Sequence, residues 1–120
     1  MLNVTMKSVK PKEAYDLFFD QSFLEAGIAK KSFANPHPQS KFKIGALGGV
    51  LLHAISGEMV VLAVAVQGGR DVIAVLNYFS TGAGTKLVIN AVNVPDSAAG
   101  NKLVAALESI IDAYKARFPK

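Results

Sequence analysis

Four apolar, β-branched runs follow one another through the middle of this chain, at residues 50–56, 59–67, 72–80 and 86–94. The stretches between them are short and glycine-bearing: Gly57-Glu58, GGRD at 68–71 and TGAGT at 81–85. Connections this short join neighbouring antiparallel strands, because a parallel pair needs a crossover of about a dozen residues or more. Of the four runs, only the first has an alternative, since residues 46–56 also suit a buried helix.

The turns imply a register. A two-residue turn at Gly57-Glu58 sets His53 opposite Leu62. A turn tip at Gly69-Arg70 sets Leu62 opposite Asn77. A five-residue loop at 81–85 then sets Ile89 opposite Asn77. Because side chains alternate along a strand, this register sorts the sheet into two faces. One carries His53, Leu62, Val64, Val75, Asn77, Phe79 and Ile89. The other carries Val61, Ala63, Ala74, Leu76, Tyr78 and Val88. Both are largely apolar, whereas a sheet with one solvated face alternates cleanly. Helices can cover one face. The second implies another cover, so the expectation is a sheet-mediated homodimer, or a sheet that curls and buries more of itself.

The flanking segments supply the helices. Residues 2–9 alternate as a half-buried strand, and Pro11 suits the first turn of a helix with Glu13 near its positive end. A capping-box spacing at Ser22–Glu25 predicts a second short helix, ended at Gly27; one kinked helix over 11–26 is the alternative. At the far end, Asp96 or Ser97 caps a long helix. Its stripe is Leu103, Leu107, Ile110, Ile111, Tyr114 and Phe118. The expected fold class is α+β: a strand, two short helices, an antiparallel β-meander and a long C-terminal helix packed on the sheet. At 120 residues this is one domain, 1–120.

Charge and composition narrow the function. The net charge is +4, with the excess at the two ends and an almost uncharged middle. That is not the basic stripe of a nucleic-acid binder. The basic-aromatic segment with Lys30, Lys31, Phe33, Lys41, Phe42 and Lys43 could meet phosphates or bases. Its plainer reading is phenylalanines anchored in the core beside solvated lysines. The chain has no cysteine, which excludes disulfides and thiolate chemistry and fits a cytoplasmic protein. Residues 1–12 lack the apolar centre of a signal peptide, and the most apolar stretch, 44–66, is broken by glycines, His53 and Glu58. No membrane span is expected.

No strong catalytic, nucleotide or metal motif occurs. His37 lies in a proline-bounded loop and forms no ligand-spaced pair with His53, so no metal and no cofactor are expected. His53 is a candidate general base or simply a locally satisfied histidine. Asn77 could orient the polar end of an apolar ligand, or pair with backbone. Asn90 and Asn93 read as strand-end or exposed amides.

The element order, with the opening SVKPKEAYDLF at 8–18, the TKLVI at 85–89, then Pro95 and the helix through Phe118, resembles the START-like helix-grip superfamily. That group includes polyketide-cyclase-like proteins, lipid-transfer domains and birch-pollen-allergen-like proteins. The resemblance implies a cavity between a curved sheet and the last helix, used to bind hydrophobic molecules. The expected function is thus a binding or carrier protein for an apolar small molecule or lipid. His53, Leu62, Val64, Val75, Asn77, Phe79, Ile89, Leu107, Ile111 and Tyr114 would form the ligand site. The alternative is a ligand-free homodimeric module, and a third reading is a cyclase- or dehydratase-type enzyme with His53 as acid–base.

Overall fold

The computed structural model describes residues 2–20, 31–33, 41–44, 47–66 and 70–118; the side chains of 31–33, 43, 44 and 47 stand outside that description. The elements run β1 (Leu2–Lys7), α1 (Pro11–Phe18), β2 (Lys31–Phe33), β3 (Lys41–Ile44), β4 (Leu47–Ile55), β5 (Met59–Val64), β6 (Val72–Ser80), β7 (Gly84–Val92) and α2 (Ala98–Arg117). One seven-stranded antiparallel sheet has the order β1-β7-β6-β5-β4-β3-β2. Strands β2 to β7 are a meander, and β1 returns to the edge of β7. The fold is α+β, as the patterning implies. Of the stretch that also suits a helix, Leu47–Ile55 is strand β4. The expected helix at Ser22–Glu25 and the loop bearing His37 lie outside the described residues.

Local chemistry explains the helices. Pro11 opens α1, where its missing N–H costs nothing, and Glu13 sits in the first turn. Ser97 caps α2 by accepting from the Gly100 N–H at 3.4 Å, while Lys115 and Arg117 occupy the last turn, next to the negative end of the dipole. The buried stripe of α2 is Leu103, Leu107, Ile110, Ile111 and Tyr114. That face lies on the sheet, alongside β1, while α1 lies against β6 and β7. Among the described residues no helix is long and apolar enough to cross a membrane.

The register differs from the expected one at three places, and each has a physical reason. Between β4 and β5, Ile55 pairs with Met59, and the Glu58 N–H bonds to the Ile55 carbonyl at 2.9 Å. Gly57 supplies the positive φ of 75° within that turn. The one-residue shift of this turn points Ala54 inward and His53 outward, and a β-bulge between Leu51 and His53 inserts Leu52, so Leu51 points inward too. Between β5 and β6 the pairing stops at Val64 opposite Val72, because β5 ends three residues earlier than its apolar run. Leu62 therefore faces Ala74, not Asn77. Between β6 and β7 the turn is the two residues Gly82-Ala83: the Thr81 N–H bonds to the Gly84 carbonyl at 2.8 Å, and the Gly84 N–H bonds to Thr81 Oγ1 at 2.9 Å. Asn77 therefore pairs with Val88 and not Ile89.

The inward face consists of Val4, Met6, Leu51, Val60, Leu62, Val64, Val72, Ala74, Leu76, Tyr78, Leu87 and Ile89, all buried beneath the helices. Thr85 joins them as a fully buried hydroxyl, donating to the Val9 carbonyl at 2.5 Å and so tying the β1–α1 connection to β7. The outward face runs through Val61, Ala63, Ile73, Val75, Asn77, Phe79, Val88 and Val92. Asn93 follows β7 with φ 68°, a left-handed conformation that asparagine tolerates well.

Close approach of β1 to β7 depends on Gly84. A Cβ there would collide with the Met6 carbonyl, whereas one at Gly82 meets open space. Gly84→Ala should therefore lower stability by about 1–3 kcal/mol, the usual cost of forcing an extra carbon into a packed site, and Gly82→Ala by less than about 0.5 kcal/mol. Urea denaturation midpoints of the two variants check this.

Candidate functional site

All three tyrosines of the chain meet in one buried cluster between the helices and the sheet. Tyr15 comes from α1, Tyr78 from the inward face of β6 and Tyr114 from the last turns of α2. The Tyr114 hydroxyl donates to the Ala14 carbonyl at 2.7 Å. A carbonyl only accepts, so the single proton of Tyr114 is committed there. The contact of 3.0 Å between the two tyrosine hydroxyls is then a bond donated by Tyr78 to Tyr114. Proton bookkeeping thus gives the chain a direction, from β6 through α2 to α1. The Tyr78 oxygen donates its proton and receives no hydrogen bond from the described residues.

The rings pack edge to face. Tyr15 lies 6.0 Å from Tyr78 at 76°, and Tyr78 lies 6.4 Å from Tyr114 at 63°. Such tilted pairs match the positive edge of one ring to the negative face of the next. Burial pushes the hydroxyls of Tyr78 and Tyr114 well above the ordinary tyrosine range, so both stay neutral donors and acceptors. Tyr15 is raised as well, by burial first and then by the neighbouring Asp16 carboxylate. Beside α2 a cleft of about 270 Å³, lined by Leu2, Asn3, Glu108, Ile111, Asp112 and Lys115, opens between the helix and β1.

Of the ten residues the sequence singles out, Leu62, Val64, Ile89, Leu107, Ile111 and Tyr114 are buried in the layer between sheet and α2. The other four are not in it. His53 is turned outward, opposite Val61, by the one-residue shift of the turn that pairs Ile55 with Met59. Val75, Asn77 and Phe79 are turned outward by the odd-numbered shift of β6 against β5. His53 is exposed and makes no hydrogen bond within the described chain, so nothing there orients it as an acid–base group. Among the described residues no group of three metal-ligating side chains occurs. Phe42 is buried and Lys41 exposed, in line with the anchoring reading of the basic-aromatic segment. Tyr78, Tyr15 and Thr85 escape the sequence reading. The available signal for Tyr78 was its place in the alternation Val72, Ala74, Leu76, Tyr78, which the wrong register assigned to the open face.

No protein-family profile matches the chain, and no curated protein matches it in sequence. Solved structures do match. Protein CV1439 from Chromobacterium violaceum aligns with a TM-score of 0.72 at 18% identity, covering 99% of this chain and 96% of that one. CalU16 from Micromonospora echinospora aligns with a TM-score of 0.71 at 14% identity, covering 99% and 73%. SA2116 from Staphylococcus aureus, a protein of unknown function, gives 0.63 at 10% identity, covering 99% and 95%. Identities this low establish a shared fold and nothing finer.

Two outcomes follow from the hydroxyl chain. Tyr114→Phe removes both bonds and leaves the buried Tyr78 hydroxyl without an acceptor, so it should cost about 2–3 kcal/mol. Tyr78→Phe removes one bond and should cost about 1 kcal/mol. Thermal or urea unfolding of both variants measures the order. The second outcome concerns pH. The unfolded tyrosines ionise near 10.0, and the folded ones only above that. The native state then holds more protons, so stability is level below about pH 10 and falls as pH rises beyond it, by up to about 1.4 kcal/mol per pH unit for each group. Melting temperature measured from pH 7 to 11 should show this, with a shallower decline in Tyr78→Phe.

Proposed function

We propose that the 120-residue chain acts as one domain, a small binding protein of the helix-grip kind for a mostly apolar molecule. The ligand is held between the inward sheet face and α2. The observation that carries this reading is the tyrosine pair: two hydrogen-bonded hydroxyls stand in a mostly apolar layer, and the Tyr78 oxygen has lone pairs that nothing in the described chain fills. Apolar walls with a few placed polar groups are how proteins hold such ligands. A ligand carrying one hydroxyl or N–H would donate to Tyr78. Its entry is at the cleft between β1 and α2, where Ile111 borders the inner layer. The inner side chains are closely packed, so binding displaces α2 from β1. The fold shared with CV1439 and CalU16, and the resemblance of the two chain ends to the START-like superfamily, support the same reading.

A second reading concerns the other face. Phe79 and Val92 are 51% and 55% exposed on an outward surface where Val61, Ala63, Ile73 and Val75 are half-buried. This supports association through that face, with a second copy as partner.

The chain has no tryptophan, and its three tyrosines form one cluster, so intrinsic tyrosine fluorescence reports on the candidate site alone. Titration with 1-decanol should give a saturable change. Decyl methyl ether, which lacks the donor, should bind about tenfold more weakly, and Tyr78→Phe should abolish that difference. Native mass spectrometry of the purified protein should also show extra lipid-like mass. No saturable change with either compound, together with no extra mass, refutes the binding role.

A further inference from the structure

We infer that the outward face of the sheet is an interface between two copies of this chain, with the two-fold axis passing beside Asn77. The inference rests on the face-association reading above and adds the partner's orientation.

Size comes first. About 14 outward positions on β4 to β7, at about 33 Å² each from strand and residue spacing, cover about 450 Å² in projection. Four of these positions are polar (His53, Asn77, Lys86 and Asn90), which leaves an apolar part of about 330 Å², within the range of the largest patches on monomers. Two such faces give about 900 Å² before side-chain relief is added, close to the total of about 1,000 Å² that a specific interface requires.

Charge comes second. The chain carries +4, so a second copy would be repelled if the face itself were charged. Its centre is not. Across the strands Met59 and Val88 pair with Asn77 in register, and along β6 its same-face neighbours are Val75 and Phe79. Lys86 and His53 stand at the borders. Lys7 on β1 and Lys41 on β3 also point outward, farther from Asn77, so the described cations ring the face and leave its centre apolar.

Asn77 selects the orientation. Its carboxamide is half-buried, enclosed by apolar neighbours, and makes no hydrogen bond within the described chain. Covering the face strips its water, which is costly unless a partner is supplied. An amide both donates and accepts, so two Asn77 side chains related by a two-fold axis satisfy each other. Residues on such an axis meet their own copies. A single buried asparagine fixes register and partner orientation in this way in other assemblies.

The absence of cysteine makes the test direct. Sedimentation of the unmodified protein should show a dimer; a monomer up to about 0.5 mM, a concentration at which even a millimolar-range association would show, overturns the interface itself. Under mild oxidation Asn77→Cys should form a disulfide-linked dimer rapidly and Val92→Cys slowly. Asn77→Asp should weaken the dimer by about 100-fold or more at neutral pH, as facing carboxylates repel, and recover at acidic pH. A wild-type dimer in which Val92→Cys links and Asn77→Cys does not, or in which Asn77→Asp changes nothing, overturns the axis and leaves the face-association reading standing.

Discussion

Strands β5 to β7 carry apolar side chains on both sides, and the two helices lie on one of them. This imbalance governs the molecule. The side under α2 is closed: Val60, Leu62, Leu76, Leu87 and Ile110 have no accessible area. The opposite side ends in half-covered valines and an exposed phenylalanine. Removing apolar surface from water is the main favourable contribution to such a fold. The open side therefore retains a driving force that folding has not used.

The closed side is not uniformly apolar. It contains the Tyr78–Tyr114–Ala14 hydrogen-bond chain, which links sheet, long helix and short helix. Residues far apart in sequence are fastened by two bonds in a buried layer, where an unmade bond is expensive. The same groups offer directional chemistry to a ligand, because with Thr85 and Tyr15 they are the polar points in that layer. Holding α2 and orienting a ligand are compatible roles: a molecule that donates to Tyr78 uses acceptor capacity the fold leaves spare.

Much of this was legible in the residues. Pro11 and Ser97 marked the helix starts, and the stripe from Leu103 to Tyr114 marked the face of α2 that is buried. The four apolar runs became β4 to β7 with shifts of at most three residues at their ends, and none for β6. Face assignment was harder, because it depends on parity. A one-residue shift at the β4–β5 turn and the early end of β5 reversed the placement of His53, Val75, Asn77 and Phe79. When both faces are apolar, hydrophobicity does not reveal such a reversal. Tyr78 was lost to the same effect. Its partner Tyr114 lies on a helix, whose single stripe has no such ambiguity. The apolar character of both faces, in contrast, was visible directly from composition.

The central claim is that one face is a closed layer and the other a contact surface. Methyl NMR with a gadolinium-chelate relaxation agent measures both at once. Methyl groups of Val60, Leu62, Leu76 and Leu87 should be protected at every protein concentration. Those of Val61, Ile73, Val75 and Val92 should be accessible in dilute protein and become protected as concentration rises. Outward methyls equally accessible at all concentrations, or inward methyls reached by the agent, would contradict the account.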